Sequence, residues 1–254
     1  MYIDCMRTFI VVLWVIFSTF PAKANTIYNL IKIPNLEIYE INTKNKIKYF
    51  YALRPFRLGV EKNIQCFDSD AKTLNLKYKI ISKNLNQYSS NFLKKINLKY
   101  VVLCENLSIS GINAAAIPDN IMKTLILDIK FNKKYFERVI HHEVFHIIND
   151  SFKEIFDENK WSNLNEKKFK YAKCSTCTDR LDLSIYNKTE GFLTEYSKTT
   201  PSEDMAEVFS YLMYNKNILN EKIIYDVILK KKVSLLKSNI LKIDRNFKFY
   251  DKKN

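Results

Sequence analysis

Apolar and polar positions alternate with period two around Leu36–Ile41 and Ile47–Leu53, so residues 26–60 are expected to hold short strands. Residues 70–97 change to helical spacing, with a break near Asn84–Asn86. The unbroken apolar run Tyr100–Cys104 (YVVLC) predicts a strand buried on both faces, and Thr124–Phe131 (TLILDIKF) predicts another. Between them Gly111–Asn120 (GINAAAIPDN) has the pattern of neither a helix nor a core strand. From Lys133 to Asp150 apolar residues recur every three or four positions, and Asn132 stands where an N-cap belongs. Residues 151–199 read as mostly irregular. Pro201–Tyr214 predicts a second helix, with Thr200 as N-cap and Pro201 at the first helical position. Residues 218–243 predict one or two amphipathic helices that close the domain. Strands first and helices later describe an α+β domain.

The N-terminus follows another rule. Arg7 precedes an apolar stretch from Thr8 to Phe20, and Ala22-Lys23-Ala24 supplies a small-x-small cleavage pattern. That stretch is too short to span a bilayer and suits a signal peptide over residues 1–24, with an uncleaved anchor as the alternative. Residues 25–254 are then one exported domain, periplasmic or extracellular, with no stable membrane insertion after cleavage.

With 47% hydrophobic and 14% aromatic residues the chain can bury a real core, which excludes intrinsic disorder. Its net charge of +14 comes from 41 basic residues, only six of them Arg. Nucleic-acid readers lean on Arg forks, so no nucleic-acid partner is expected. Export makes the four cysteines after the leader candidates for two disulfides. The favoured pairs are Cys174–Cys177 and Cys66–Cys104. A redox CxxC and a four-Cys zinc site are the alternatives.

The chain has three histidines, and all lie in His141-His142-Glu143-Val144-Phe145-His146. His142 to His146 is an HExxH, expected by chance about 0.002 times in a chain of this composition. On a helix His142 and His146 lie about 40° apart and face one way. Phe136, Ile140, Val144, Ile147 and Ile148 form the opposite, core stripe. Glu143 falls between the two faces, where it can reach a metal-bound water without ligating the metal. His141 points away from the ligand face and reads as structural or surface. A catalytic zinc takes three protein ligands, so the third is a carboxylate or a Cys. Glu203 and Glu207 sit one turn apart on the second helix and fit a ligand and a partner that hydrogen-bonds a ligand. The alternative is a solvated acidic face, with Glu203 closing a capping box on Thr200. Asp204 points off that face. Tyr196, beside this helix, is placed to donate to an oxyanion.

These residues resemble a gluzincin metallopeptidase. Tyr196, then Glu203-Asp204-Met205-Ala206-Glu207, resembles the protease domain of anthrax lethal factor and related secreted bacterial enzymes. Trp161, Leu164-Asn165, the GFLTEYS run at 191–197 and the PSEDMAE run at 201–207 are similar to a bacterial group of zinc-binding metallopeptidases. The resemblance covers about residues 100–215. It implies a zincin-like fold with a small mixed sheet and an HExxH helix, followed by a helical C-terminal half. It implies one Zn2+ per chain on His142, His146 and Glu203. Glu143 would be the base, Tyr196 the oxyanion donor and Glu207 the partner of a ligand. The expected function is a secreted zinc endopeptidase, a monomer acting on peptide or protein substrates. The rival readings are an exported cationic binding protein, motivated by Lys230-Lys231-Lys232 and the basic C-terminus, although these lysines read first as a solvated surface, and an inactive zinc-binding homologue.

Overall fold

A ten-residue strand organises the sheet. In the computed structural model, which describes residues 33–249 except 34, 120, 121, 177 and 180, four strands come first. They are β1 (Leu36–Glu40), β2 (Lys48–Ala52), β3 (Phe56–Leu58) and β4 (Ile64–Phe67). Helices α1 (Ala71–Leu85) and α2 (Ser90–Lys95) lead to the long strand β5 (Tyr100–Ile109), followed by β6 (Ile112–Asn113), β7 (Ala116–Asp119) and β8 (Thr124–Asp128). The break near Asn84–Asn86 thus separates two helices as expected. Asp70 accepts from Thr73 N–H at 2.9 Å to cap α1, and Ser89 caps α2.

The first half of β5 lies parallel between β2 and β8, with Val102 opposite Phe50 and Ile126. Parallel neighbours need a crossover, which α1 and α2 supply between β2 and β5. That placement explains the continuous apolar YVVLC run, because both faces are covered. The second half pairs antiparallel with β4 and β6. A disulfide joins Cys66 on β4 to Cys104 on β5, one of the two favoured pairings. Cys177 and the leader 1–24 lie outside the described residues.

Two expectations need correction here. Residues 111–120 contain strands after all: β7 pairs antiparallel with β8, from Ala116 opposite Leu127 to Asp119 opposite Thr124. Edge pairing tolerates Pro118, whose missing N–H leaves no ladder bond unmade on the open side. The strand from Thr124 stops at Asp128 rather than Phe131. The Asp128 carboxylate accepts from Asn106 N–H and Lys130 N–H and turns the chain.

The C-terminal half is helical: α3 (Phe136–Ser151), α4 (Glu158–Ser162), α5 (Pro201–Tyr214), α6 (Lys216–Tyr225) and α7 (Val227–Ile243). The expected start of α3 at Lys133 moves one turn on. Asn132 does not cap the helix; its side chain accepts from Lys134 N–H and its carbonyl from Tyr135 N–H, which closes a separate turn. Residues 151–199 are mostly irregular, as expected, and end in a 3-10 turn at Tyr196–Lys198. Helix α3 packs against α5, with Phe145 and Phe209 in ring contact at 5.5 Å. The Lys230-Lys231-Lys232 run is not one solvated face. Lys230 and Lys231 are exposed, but Lys232 is fully buried in the packing of α7 on α5.

Candidate metal centre

Helix α3 exists because its apolar stripe has a core to enter. Phe136, Ile140, Val144, Ile147 and Ile148 are all buried, which turns His142 and His146 together to the other side. Helix α5 starts where Thr200 Oγ1 accepts from Glu203 N–H at 3.2 Å, with Pro201 in its first turn. The cap and the metal-facing role are therefore compatible, since Thr200 uses the Glu203 backbone and leaves its carboxylate free to reach α3.

That carboxylate closes a triangle. Glu203 Oε2 lies 2.9 Å from His142 Nε2 and 3.2 Å from His146 Nε2, and the two Nε2 atoms are 3.1 Å apart. Ligand atoms around a tetrahedral zinc with bonds of about 2.0–2.1 Å stand about 3.3 Å apart. His142 Nδ1 is 2.9 Å from Glu207 Oε1, and a carboxylate only accepts, so Nδ1 carries a proton. The Nε2 lone pair then faces another imidazole and a carboxylate oxygen. Three electron-pair donors converging at this spacing suit a divalent cation, and the N,N,O donor set suits zinc.

The electrostatics agree. Burial alone would raise Glu203, but His146 and His142 outweigh it and hold the carboxyl well below its ordinary range. Burial alone would lower His142, but the hydrogen bonds to Glu203 and Glu207 push it up to about 10. That second proton sits on Nε2, in the space a cation would take, so a metal ion displaces it and the two compete for the site. Glu207 is also held low against burial, by Arg138 and then His142.

Glu143 is half-buried beside the two imidazoles, and desolvation raises its carboxyl despite their opposing charge. Tyr196 stacks obliquely on His142 with ring centres 5.9 Å apart. Its phenol is pushed up by burial and then by the charges of Glu203 and Glu143. His141 is structural rather than superficial. It is wholly buried, with Tyr88 Oη at 2.6 Å from Nδ1 and Asn84 Oδ1 at 3.0 Å from Nε2, and burial lowers it to about 3. Asp204 turns away from the centre, to Lys232, Trp161 and Tyr171.

The structure thus gathers His142, His146, Glu203, Glu207 and Tyr196, with Glu143 alongside. Sequence reasoning missed Arg138, whose Nη1 bridges both carboxylate oxygens of Glu207, and Thr194, whose Oγ1 donates to Glu207 Oε2 at 2.8 Å. One signal for Arg138 was available. It stands four residues before His142, on the same helical face, as one of six Arg in a Lys-rich chain.

Residues 71–246 match the sequence family described as "Putative zinc-binding metallo-peptidase". Among curated proteins none matches. The chain is similar in fold to the crystal structure of "a putative zinc-binding metallo-peptidase" from Bacteroides caccae ATCC 43185. The two share 19% identity and superpose with a TM-score of 0.53, over 87% of this chain and 85% of that one.

Proposed function

The chain belongs to that zinc-binding metallo-peptidase family, and from this premise we propose that it is a zinc-dependent endopeptidase of the gluzincin type. His142, His146 and Glu203 hold the metal in this reading. The observation that carries it is the triangle of two imidazole nitrogens and one carboxylate oxygen, 2.9–3.2 Å on a side.

Bound zinc supplies Lewis-acid activation of water and of the scissile carbonyl. Glu143 is the general base. Its raised carboxyl is a better proton acceptor near neutral pH than an ordinary glutamate. It takes the proton of the attacking water and delivers it to the leaving amine. Tyr196, kept protonated by burial and by two neighbouring carboxylates, donates its O–H to the oxyanion. Glu207 accepts a hydrogen bond from His142 Nδ1–H and fixes the imidazole so that Nε2 faces the metal. An extended peptide binds by adding a strand to β7. Strand β8 is flanked by β5 and β7, whereas β7 pairs with β8 alone among the described strands and packs against α3. The product is exported after loss of residues 1–24. The buried Cys66–Cys104 disulfide favours an oxidising compartment, and N-terminal sequencing of the exported protein tests it.

The deciding experiment is zinc content by mass spectrometry on wild type, His146→Ala, Glu203→Ala and Glu143→Gln, beside cleavage of a quenched-fluorescence peptide library. Wild type and Glu143→Gln hold zinc; the two ligand variants do not. Glu143→Gln cleaves about 10²–10⁴-fold more slowly. Undiminished cleavage by that variant removes Glu143 from its role. Zinc without any cleavage favours the inactive homologue. Absence of zinc, with salt-sensitive polyanion binding that survives loss of the histidines, favours the cationic binding protein.

A further inference from the structure

We propose that Arg138 is a positioning residue for the metal centre. It clamps Glu207 in the pose that accepts the hydrogen bond from His142 Nδ1–H, and so aims the Nε2 lone pair of that imidazole at the ion. The inference rests on the metal reading above and extends it to a residue that touches neither ion nor substrate.

Arg138 is one turn before His142 on α3 and only 2% exposed. Its Nη1 lies 2.5 Å from each carboxylate oxygen of Glu207, and its Nη2 donates to the Leu183 carbonyl at 3.0 Å. The guanidinium also lies 4.9 Å from the centre of the Tyr211 ring. Glu207, itself 1% exposed, is fully engaged: Oε1 accepts from His142 and Oε2 from Thr194, and Arg138 spans both. A carboxylate buried this deeply is retained only with a compensating charge. Without Arg138 the carboxylate has reason to turn from a neutral imidazole toward solvent, which frees the ring to rotate. Arg138 reaches both oxygens of its carboxylate and a backbone carbonyl from two nitrogens of one rigid plane, whereas the Lys232 ammonium reaches one oxygen of Asp204 and one carbonyl. That explains an Arg at this place in a chain whose basic residues are mostly Lys.

A purely structural role is the competing account, because Arg138 also ties α3 to α5 and to Leu183. The two accounts separate on metal affinity. Zinc dissociation constants are measured by competition with a chromophoric chelator in wild type, R138K, R138M, E207Q and R138M/E207Q. The visible spectrum of each cobalt-loaded protein and the stability of each metal-free protein are recorded in parallel. R138M is expected to weaken zinc binding by about 10–100-fold and to shift the cobalt bands, with R138K recovering part of the loss. In the E207Q background R138M adds no further weakening, since Arg138 acts through Glu207. Zinc affinity of R138M within about two-fold of wild type, with stability lost, overturns the proposal in favour of a structural tie; so do R138M and E207Q losses that add in full. If R138M alone does not fold, R138K and the comparison of E207Q with R138M/E207Q, which leaves no unpaired buried charge, decide the matter. His146→Ala is the control. Undiminished zinc in that variant refutes the metal reading and this inference together, an outcome distinct from failure of the Arg138 variants alone.

Discussion

Lys232→Met is expected to be among the most damaging single changes outside the metal centre. Lys232 Nζ lies 2.6 Å from Asp204 Oδ2 and 2.8 Å from the Gly191 carbonyl, and both side chains of the ion pair are fully buried. Burial pushes Asp204 up and Lys232 down, so each charged form persists because of the other. Methionine matches the length of the side chain but leaves Asp204 with Trp161 Nε1 at 2.8 Å and Tyr171 Oη at 2.7 Å, while Oδ1 has no hydrogen-bond partner among the described residues. Removing one member of a buried pair costs about 3–5 kcal/mol. At about 2–4 °C per kcal/mol for a chain of this size, Tm falls by roughly 6–20 °C. Replacing both members with neutral groups, as in Asp204→Asn/Lys232→Met, removes the stranded charge and is expected to recover most of the loss. Lys230→Met and Lys231→Met, on the exposed side of the same run, stay within about 0.5 kcal/mol of wild type. Urea unfolding of the zinc-loaded protein, followed by far-UV circular dichroism, measures all of these. Lys232→Met unfolding within about 1 kcal/mol of wild type would show that the pair contributes little and would refute the reasoning.

Replacing Cys66 and Cys104 together by Ser removes a crosslink closing a sequence separation of 38 residues and is expected to cost about 2–5 kcal/mol in non-reducing urea titrations. Chelation of zinc is expected to lower Tm, because a ligand present at about 1,000 times its Kd contributes about 4 kcal/mol; calorimetry with and without EDTA should show a shift that His146→Ala lacks. Asp70, capping α1, is held below the ordinary carboxylate range chiefly by the Thr73 N–H and then by the Thr73 hydroxyl. Its folded form loses the proton first, so its contribution is complete above the ordinary pKa and disappears as pH falls through the lowered value. Asp70→Asn, which keeps the cap, should show a shallower loss of stability below about pH 4 than wild type in acid titrations.

What was legible in the sequence was whatever depends on neighbours along the chain. Helix α5 begins at Pro201 and ends at Tyr214 as expected, because its cap, its first-turn proline and its apolar stripe are all local. The two histidines share a face for the same reason, and Glu203 followed from the zinc site needing a third ligand when no further His exists. What depended on distant partners was lost. Strand β7 looks unlike a strand in isolation and becomes one because β8 offers it an edge. Lys232 reads as part of a solvated run, and its burial depends on Asp204, 28 residues earlier. Arg138 meets Glu207 across 69 residues, a distance at which no periodicity operates.

The long interval between His146 and Glu203, 57 residues, raises a physical question about how so open a loop places the Glu203 carboxylate accurately against α3. Two answers combine. Loop closure is weakly dependent on length, with each doubling costing only about 0.6 kcal/mol, so a long insert is thermodynamically tolerable. Accuracy then has to come from anchoring, and the insert is anchored at the centre itself. Leu183 accepts from Arg138, Ser184 meets the Tyr135 hydroxyl at 2.9 Å, and Thr194 donates to Glu207. Tyr186 N–H bonds the Leu193 carbonyl and closes residues 186–193 into a short hairpin-like turn, with these contacts on its two flanks. The residues that support His142 are therefore the same residues that fasten the insert. Loosening one of these contacts is expected to disturb the imidazole together with the fold, so metal affinity has to be read beside stability at this site.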